Sequence, residues 1–173
     1  MKKLTLAAII ASLGSLGVLS VAVAQQPAPA PQPDYHPSLA DLMTMAVQPR
    51  HIKTGIAGKA RNWDYAAYEA HELRNAFNRI GRTIPTFDKQ STPDLFAAGI
   101  MPAMDKLDAA IKAKDGTAFD AAYREVTTSC NACHMALNHA NIVIQEPAAS
   151  PYADQNLTGT SSGTGGRRHR HRK

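Results

Sequence analysis

Apolar residues recur every three or four positions along the middle of this chain, and no other feature constrains its fold as strongly. This spacing places apolar side chains on one face of an α-helix. Proline and glycine residues divide the pattern into four stretches, at about 38–61, 64–81, 92–113 and 117–141. No segment alternates apolar and polar residues convincingly, as a half-buried strand would. Helices joined by short turns predict an all-α fold, an antiparallel four-helix bundle.

Local features refine the first two stretches. Ser38 is the predicted N-cap of the first. Pro49 is expected to interrupt it near Val47, because proline has no N–H and its ring crowds the preceding turn. Asp64 is the predicted N-cap of the second stretch. If the first stretch is nearly continuous, one face of it carries Leu42, Met45, Ile52, Ile56 and Ala60. The apolar stripe of the second stretch consists of Ala66, Ala70, Leu73, Phe77 and Ile80.

The last two stretches are defined in the same way. Gly99 and Pro102 predict a short turn and a restart within the third. Its predicted buried residues are Met104, Leu107 and Ile111. One face of the fourth carries Phe119, Tyr123, Val126, Cys130, Cys133, His134, Leu137 and Asn141.

The N-terminus has the pattern of a secretory signal peptide. Lys2 and Lys3 precede an apolar run, and the sequence AVA at 22–24 satisfies the small-x-small rule for cleavage. Residues 1–24 are therefore predicted to be removed on export, which places the mature protein in the periplasm. An uncleaved membrane anchor is the competing interpretation of this run.

Composition divides the rest of the chain. Residues 25–37 are a Pro/Ala-rich linker, 38–145 the helical domain, and 146–173 a flexible low-complexity basic tail. Two lysines of the signal and five basic residues at the extreme C-terminus account for seven positive charges. Removing them from the formal net charge of +5 leaves about −2 for the body of the protein. A body so close to neutral gives no reason to expect a nucleic-acid partner.

The only two cysteines lie in the sequence CNACH, which runs from Cys130 to His134. This is the C-x-x-C-H pattern of covalent haem attachment. In a helix, Cys130, Cys133 and His134 project from one face, because they are spaced by three and four residues. Two thiols on that face suit thioethers to the two vinyl groups of one porphyrin, and His134 suits the iron beneath it. The predicted cofactor is one haem c per chain, bound covalently within the bundle.

Two other interpretations compete for these cysteines. A thioredoxin-like redox pair is expected at the start of a helix that follows a strand, whereas this pair lies deep in a helix. A zinc site built from Cys130, Cys133 and His139 lacks the second ligand pair that zinc spacing requires. A structural disulfide across so short a loop adds little stability.

The ligand opposite His134 decides between two functions. Met43 and Met45 are the candidate distal ligands, and His51 is a weaker alternative; core or surface packing is the competing interpretation of both methionines. A methionine thioether raises the reduction potential and favours an electron carrier. An apolar distal side instead leaves the iron open to a small gas, with Leu42 and Ile52 as candidate lining residues.

An export signal, four predicted helices and CxxCH on the last of them resemble cytochrome c′ and its low-spin four-helix relatives. The resemblance covers about residues 38–145. It implies thioethers at Cys130 and Cys133, His134 as the proximal ligand, and a homodimer as a possible assembly. The family varies at the distal position between apolar residues and methionine. Pro49 and Pro102 interrupt helices that are longer in the plainest members.

The expected function is that of a periplasmic single-electron carrier that is not an enzyme and serves exported or membrane redox partners. The alternative is a five-coordinate protein that binds NO or CO. A further possibility concerns the sequence RRHRHRK at 167–173, whose basic residues suit an anionic lipid surface or an acidic partner.

Overall fold

The computed structural model describes residues 35–159, and this part of the chain is mainly helical. The predicted signal peptide, most of the linker and residues 160–173 of the predicted tail lie outside it. The elements in chain order are α1 (Leu39–Leu42), a π-helical segment (Met43–Val47), α2 (Gln48–Lys59), α3 (Trp63–Thr83), β1 (Thr86–Phe87), β2 (Gln90–Ser91), α4 (Thr92–Gly99), α5 (Met101–Ala113) and α6 (Gly116–Ala136). The all-α prediction is confirmed at this level.

The first helical stretch begins at the predicted N-cap, and its α-helix is interrupted near the predicted position. Ser38 caps α1 in a capping box: its Oγ accepts from the Asp41 N–H at 3.1 Å, and its own N–H donates to the Asp41 carboxylate at 2.9 Å. The predicted interruption is the π-helical segment that ends directly before Gln48 and Pro49. Its wider turn precedes the proline, whose ring would clash with the carbonyl four residues earlier in a regular α-helix.

The predicted apolar face of this stretch is only partly buried, because the helix is not continuous. Met45 and Ala60 are exposed, and Leu42, Ile52 and Ile56 are half-buried. The buried residues of α2 are His51, Thr54, Gly55, Ala57 and Gly58. Two glycines explain the difference, because a Cβ at Gly55 would overlap the Tyr123 ring and one at Gly58 would overlap the Phe119 ring. Close approach of α2 to large aromatic rings therefore selects its smallest residues for the core, and hydrophobicity alone did not indicate this.

Helix α3 follows the prediction more closely. Its predicted stripe is fully buried: Ala66, Ala70, Leu73, Phe77 and Ile80. The helix begins earlier than expected, with Asn62 rather than Asp64 at the N-cap position, and Asp64 lies in the first turn. A carboxylate there still interacts favourably with the positive end of the helix dipole.

The third predicted stretch divides at the expected place. Helix α4 ends at Gly99, and α5 begins at Met101 with Pro102 in its first turn. Met104, Leu107 and Ile111 are buried, as predicted. The loop before α4 contains a two-stranded antiparallel hairpin that the sequence did not predict, and Asp88 and Lys89 adopt positive φ at its turn. Positive φ at both central residues is the geometry of a tight type I′ hairpin turn.

The last helix is shorter than predicted. Asp115 caps α6 by accepting from the N–H groups of Thr117 and Ala118, but the helix ends at Ala136 rather than near Asn141. Asn138, just beyond the end, has a left-handed φ of 61°. A left-handed residue after the last turn reverses the chain and stops the helix. His139 and Asn141 therefore lie in the segment that turns back from α6.

Helix packing places the CxxCH sequence at one end of the domain. Helix α2 packs on α3 and α6, while α5 packs on α3 and α6. Helices α2 and α6 run antiparallel, since His51 contacts Thr127 while Gly58 faces Phe119. The π-helical segment, which precedes α2, therefore lies level with the last turns of α6. Helix α4 contacts α3, α5 and α6.

The packed chain extends beyond the predicted domain boundary at residue 145. Leu157 is buried, and its carbonyl accepts from the Asn62 side chain at 3.2 Å. The Lys53 ammonium lies 4.6 Å from the centre of the Tyr152 ring. Residues 146–159 therefore lie against α2 and the start of α3. Among the helices between residues 35 and 159, none combines the length and apolar character needed to cross a bilayer.

Candidate functional site

The CxxCH residues occupy the last turns of α6. Cys130 and Cys133 are both free, and they share one face of the helix with His134. Cys130 is half-buried and packs against the hydrophobic core. Cys133 and His134 are half-buried nearer the surface. The three side chains predicted to bind haem therefore lie together at the edge of the core.

The two thiols are poor candidates for a reactive redox pair. Burial raises the pKa of Cys130 to about 12, with a smaller contribution from the neighbouring Cys133. Burial also raises the pKa of Cys133. Dithiol oxidoreductases depend on a thiolate with a lowered pKa, because the thiolate is the nucleophile in exchange. The electrostatics of this site therefore oppose thioredoxin-like chemistry, in addition to the position of the pair late in a helix.

His134 has one ring nitrogen engaged by the backbone. Its Nδ1 lies 2.7 Å from the carbonyl oxygen of Ile142. A carbonyl only accepts hydrogen bonds, so Nδ1 must carry the proton, and in the neutral ring Nε2 keeps its lone pair. This is the arrangement of metal-binding histidines, which donate their second ring N–H to a carbonyl or carboxylate. His134 is thereby held in the tautomer that binds a metal through Nε2.

The acceptor comes from a segment that sequence reasoning missed. We call residues 142–144 the return segment, because the chain turns back along α6 after Asn138. The Ile144 N–H donates to the Asn131 side-chain oxygen at 2.7 Å, and the Asn131 amide donates to the Ile144 carbonyl at 2.9 Å. No side-chain pattern indicates this contact, since Ile142 and Ile144 contribute only backbone atoms.

A cleft of about 630 Å³ opens beside Cys133, between α4 and α6. Cavities of this size are typical of small-molecule and cofactor sites. Small side chains form much of its wall, and a Cβ built at Gly99 would meet no atom within 4 Å. The cleft is lined by Gln90, Ser91, Asp94, Leu95, Ala98, Gly99, Ser129, Ala132, Cys133 and Ala136. One of the two motif thiols therefore faces a largely apolar space.

The two candidate methionines have different surroundings. Met45 is 61% exposed. Met43 is half-buried and packs against the same core cluster as Cys130. Both lie in the π-helical segment, level with the last turns of α6. Of the two methionines, Met43 is therefore the one whose side chain packs on the core near the CxxCH residues.

His51 is engaged elsewhere. Its Nε2 lies 2.9 Å from the Thr127 hydroxyl and its Nδ1 lies 3.1 Å from the Tyr123 hydroxyl. The Tyr123 hydroxyl also donates to the His51 carbonyl at 2.8 Å, and the two rings stack with centroids 4.8 Å apart. Burial lowers the pKa of His51 to about 4, partly offset by the Glu146 charge. His51 is therefore a neutral core histidine whose ring nitrogens both have protein partners.

The other candidates are dispersed. His71 and His139 are exposed, and the His139 ring lies 6.1 Å from that of Phe87. Trp63 packs edge-on against Phe119. Between residues 35 and 159, no three His, Cys, Asp or Glu side chains are grouped to hold a metal ion. The zinc interpretation therefore gains no support, whereas haem needs no such group because the porphyrin supplies most of the iron's ligands.

The sequence and the fold were also compared with known proteins. No family model, no curated protein and no solved structure matches this chain.

Proposed function

We propose that this protein is an exported c-type cytochrome that carries single electrons. Cys130 and Cys133 hold one haem c covalently, and His134 is the proximal ligand of its iron. Helices α2, α3, α5 and α6 form an antiparallel four-helix bundle around the site, in the manner of cytochrome c′ and its low-spin relatives. When bound, the haem supplies an iron that changes its oxidation state by one electron.

The observation that carries this proposal is the hydrogen bond from His134 Nδ1 to the Ile142 carbonyl, within a CxxCH sequence. The sequence provides two thiols and an imidazole on one helical face. The hydrogen bond adds that Nδ1 carries the proton, which leaves the Nε2 lone pair for a metal and supports this proposal.

The surroundings of the motif also suit a large apolar ring. Cys133 faces a cleft lined largely by small side chains, and Cys130 packs against the core. The chain's own contribution is to present both thiols on one helical face, one of them beside an apolar cleft, and to fix the imidazole. Rigid positioning favours electron transfer, because a site that changes little between oxidation states has little structure to rearrange.

Met43 is the proposed distal ligand. It lies level with the motif and packs toward the core, whereas Met45 points largely to solvent. A Met/His pair raises the reduction potential, which suits a carrier. The partners we propose are exported or membrane redox proteins that dock weakly and transiently. The proposed location is the periplasm, and a homodimer is compatible with this architecture.

Gas binding is the second candidate function. It is favoured by the exposure of Met45 and by Leu42, which packs against the core one residue before Met43. If Leu42 rather than Met43 faces the distal side, no thioether reaches the iron, and the sixth position is open to NO or CO.

Visible spectra of the purified protein test both candidates, recorded oxidised and reduced, with and without CO. The carrier predicts a reduced haem c spectrum that CO leaves unchanged. Met43→Ala should then create a CO-sensitive site, while the matched variant Met45→Ala should not. CO sensitivity of the unaltered protein would favour gas binding. Absence of a haem spectrum after expression with the attachment machinery would overturn the proposal.

A further inference from the structure

The C-x-x-C-H motif leaves the two residues between its cysteines unspecified. One of them, Asn131, has a defined structural role in this chain. Asn131 follows Cys130 directly on α6, and its side-chain amide binds both backbone groups of Ile144. The Asn131 amide nitrogen lies 2.9 Å from the Ile144 carbonyl oxygen, and the Ile144 nitrogen lies 2.7 Å from the Asn131 side-chain oxygen. The side-chain amide therefore makes the same two hydrogen bonds to Ile144 that a backbone amide of a neighbouring strand would make. The amide's orientation is fixed by this pairing, because exchanging its oxygen and nitrogen would place like groups together.

The same short segment supplies the acceptor for His134. The Ile142 carbonyl accepts from His134 Nδ1 at 2.7 Å, two residues before the Asn131 contact. The Ile142 N–H in turn donates to the His139 carbonyl at 2.9 Å. Asn131 and His134 therefore fix the two ends of the return segment onto α6.

Side-chain burial holds this segment only in part, since Ile144 is half-buried and the two residues before it are exposed. Ile142 is 47% exposed and Val143 is 64% exposed. The next anchor along the chain is Glu146, which pairs with Lys59 at 2.8 Å and with Arg124 at 3.4 Å. These are partly exposed ion pairs, and pairs of this kind contribute little to stability. The position of the Ile142 carbonyl thus depends largely on hydrogen bonds. Apart from the bond of its own N–H to the His139 carbonyl, the two that Asn131 makes to Ile144 are the ones described for residues 142–144 that do not involve the His134 ring.

We propose that Asn131 is a positioning residue for the iron ligand: by clamping Ile144 it keeps the Ile142 carbonyl on His134 Nδ1. This inference rests on the proposed haem function. A fixed acceptor at Nδ1 makes the imidazole a stronger donor through Nε2 and sets its orientation. Hydrogen bonding of this kind is one of the means by which a protein sets the potential of a haem. The loss of Asn131 should therefore favour the reduced iron.

The test compares Asn131→Ala and Asn131→Asp with the control Thr128→Ala. Asp keeps an acceptor for the Ile144 N–H but cannot donate to the Ile144 carbonyl, so it separates the two halves of the clamp. Thr128 is an exposed residue of the same helix, and its hydroxyl donates only to the Arg124 carbonyl, away from the return segment. The motif allows any residue at position 131, so haem attachment is expected in all variants.

Two measurements decide the outcome. In redox titrations, the midpoint potential should shift to more positive values in Asn131→Ala and should not move in Thr128→Ala. Hydrogen exchange of the Ile144 amide should accelerate about two- to tenfold in Asn131→Ala, the factor expected for the loss of one net hydrogen bond. In Asn131→Asp the amide should exchange more slowly than in Asn131→Ala.

Unchanged exchange at Ile144 in Asn131→Ala would refute the clamp itself. Faster exchange with an unchanged potential would overturn the positioning role. Absence of haem from the unaltered chain would overturn the proposed function and the positioning role with it. The exchange experiment requires no haem, so it would still decide whether Asn131 clamps the return segment.

Discussion

The two halves of α6 are built differently, although they belong to one continuous helix. Residues 116–127 carry Phe119, Tyr123 and Val126, which are all fully buried. The rings of Phe119 and Tyr123 stack with centroids 5.7 Å apart, and Tyr123 also binds His51. Residues 128–136 contain no fully buried side chain; they border a cleft, and the return segment is held there by hydrogen bonds. We refer to them as the packed half and the site half.

This difference separates stability from function along one helix. Close packing of large rings resists rearrangement, because every lost contact or new cavity costs free energy. Regions with few buried apolar contacts open more easily, and functional sites are drawn from them. The packed half therefore fixes the direction of the helix, and the site half uses that direction to present Cys130, Cys133 and His134.

The largest expected effect is confined to the site half. The double substitution Cys130→Ser and Cys133→Ser should abolish covalent haem attachment entirely, because a serine hydroxyl does not form the thioethers. The mass of the denatured protein should equal that of the polypeptide alone. Ser129→Ala is the matched control, since Ser129 lines the same cleft beside Cys133 but takes no part in attachment. A covalently bound haem in the double variant would contradict the assignment of these residues.

The next effect distinguishes the two halves by stability. Phe119→Ala should lower the free energy of unfolding by about 3–5 kcal/mol, because it removes a fully buried ring and leaves a cavity. Met135→Ala, in the site half, should change it by no more than about 0.5 kcal/mol, since Met135 is 62% exposed. Urea unfolding followed by circular dichroism measures both values. Equal losses in the two variants would show that the halves are not energetically distinct.

His51 adds a pH dependence to the packed half. Its pKa is lowered from 6.5 to about 4 in the folded protein, chiefly by burial. Between these two pH values the unfolded chain therefore binds a proton that the folded chain does not. The stability gained by burying neutral His51 is fully present above about pH 6.5 and is lost as the pH falls toward 4. The loss amounts to roughly 3 kcal/mol over that interval.

Urea unfolding at several pH values between 4 and 6.5 tests this contribution. The slope of stability against pH should flatten in His51→Gln and persist in His71→Gln, which removes an exposed histidine instead. If His51→Gln keeps the full slope, another group is responsible for the pH dependence.

The same contrast explains what the sequence could predict. The spacing of Cys130, Cys133 and His134 fixes a common face in any helix, and Pro49 predicts an interruption whatever the tertiary contacts. The buried stripe of α3 follows from periodicity alone. The buried face of α2 did not, because it is set by the approach of Gly55 and Gly58 to aromatic rings of another helix.

The return segment was beyond prediction for a related reason. Its acceptor is a backbone carbonyl eight residues after His134, and every residue type supplies the same carbonyl. The docking of Leu157 was missed as well, because one apolar residue in a polar stretch gives no periodic signal. Patterns along one element were readable, whereas contacts made by backbone or by single residues between elements were not.

The smallest effect concerns the border between the two halves. Glu146 follows the return segment and pairs with Lys59 of α2 and Arg124 of the packed half. The hydrogen bond from Lys59 is the main cause that lowers the pKa of Glu146, so its stabilisation is present above pH 4.5 and is lost as the pH falls below that value. Because these groups are partly exposed, Glu146→Gln should cost at most about 1 kcal/mol, and 1 M salt should largely abolish the difference from the unaltered protein. A clearly larger loss would mean that Glu146 rather than Asn131 holds the return segment, and the potential of Glu146→Gln would then shift as far as that of Asn131→Ala.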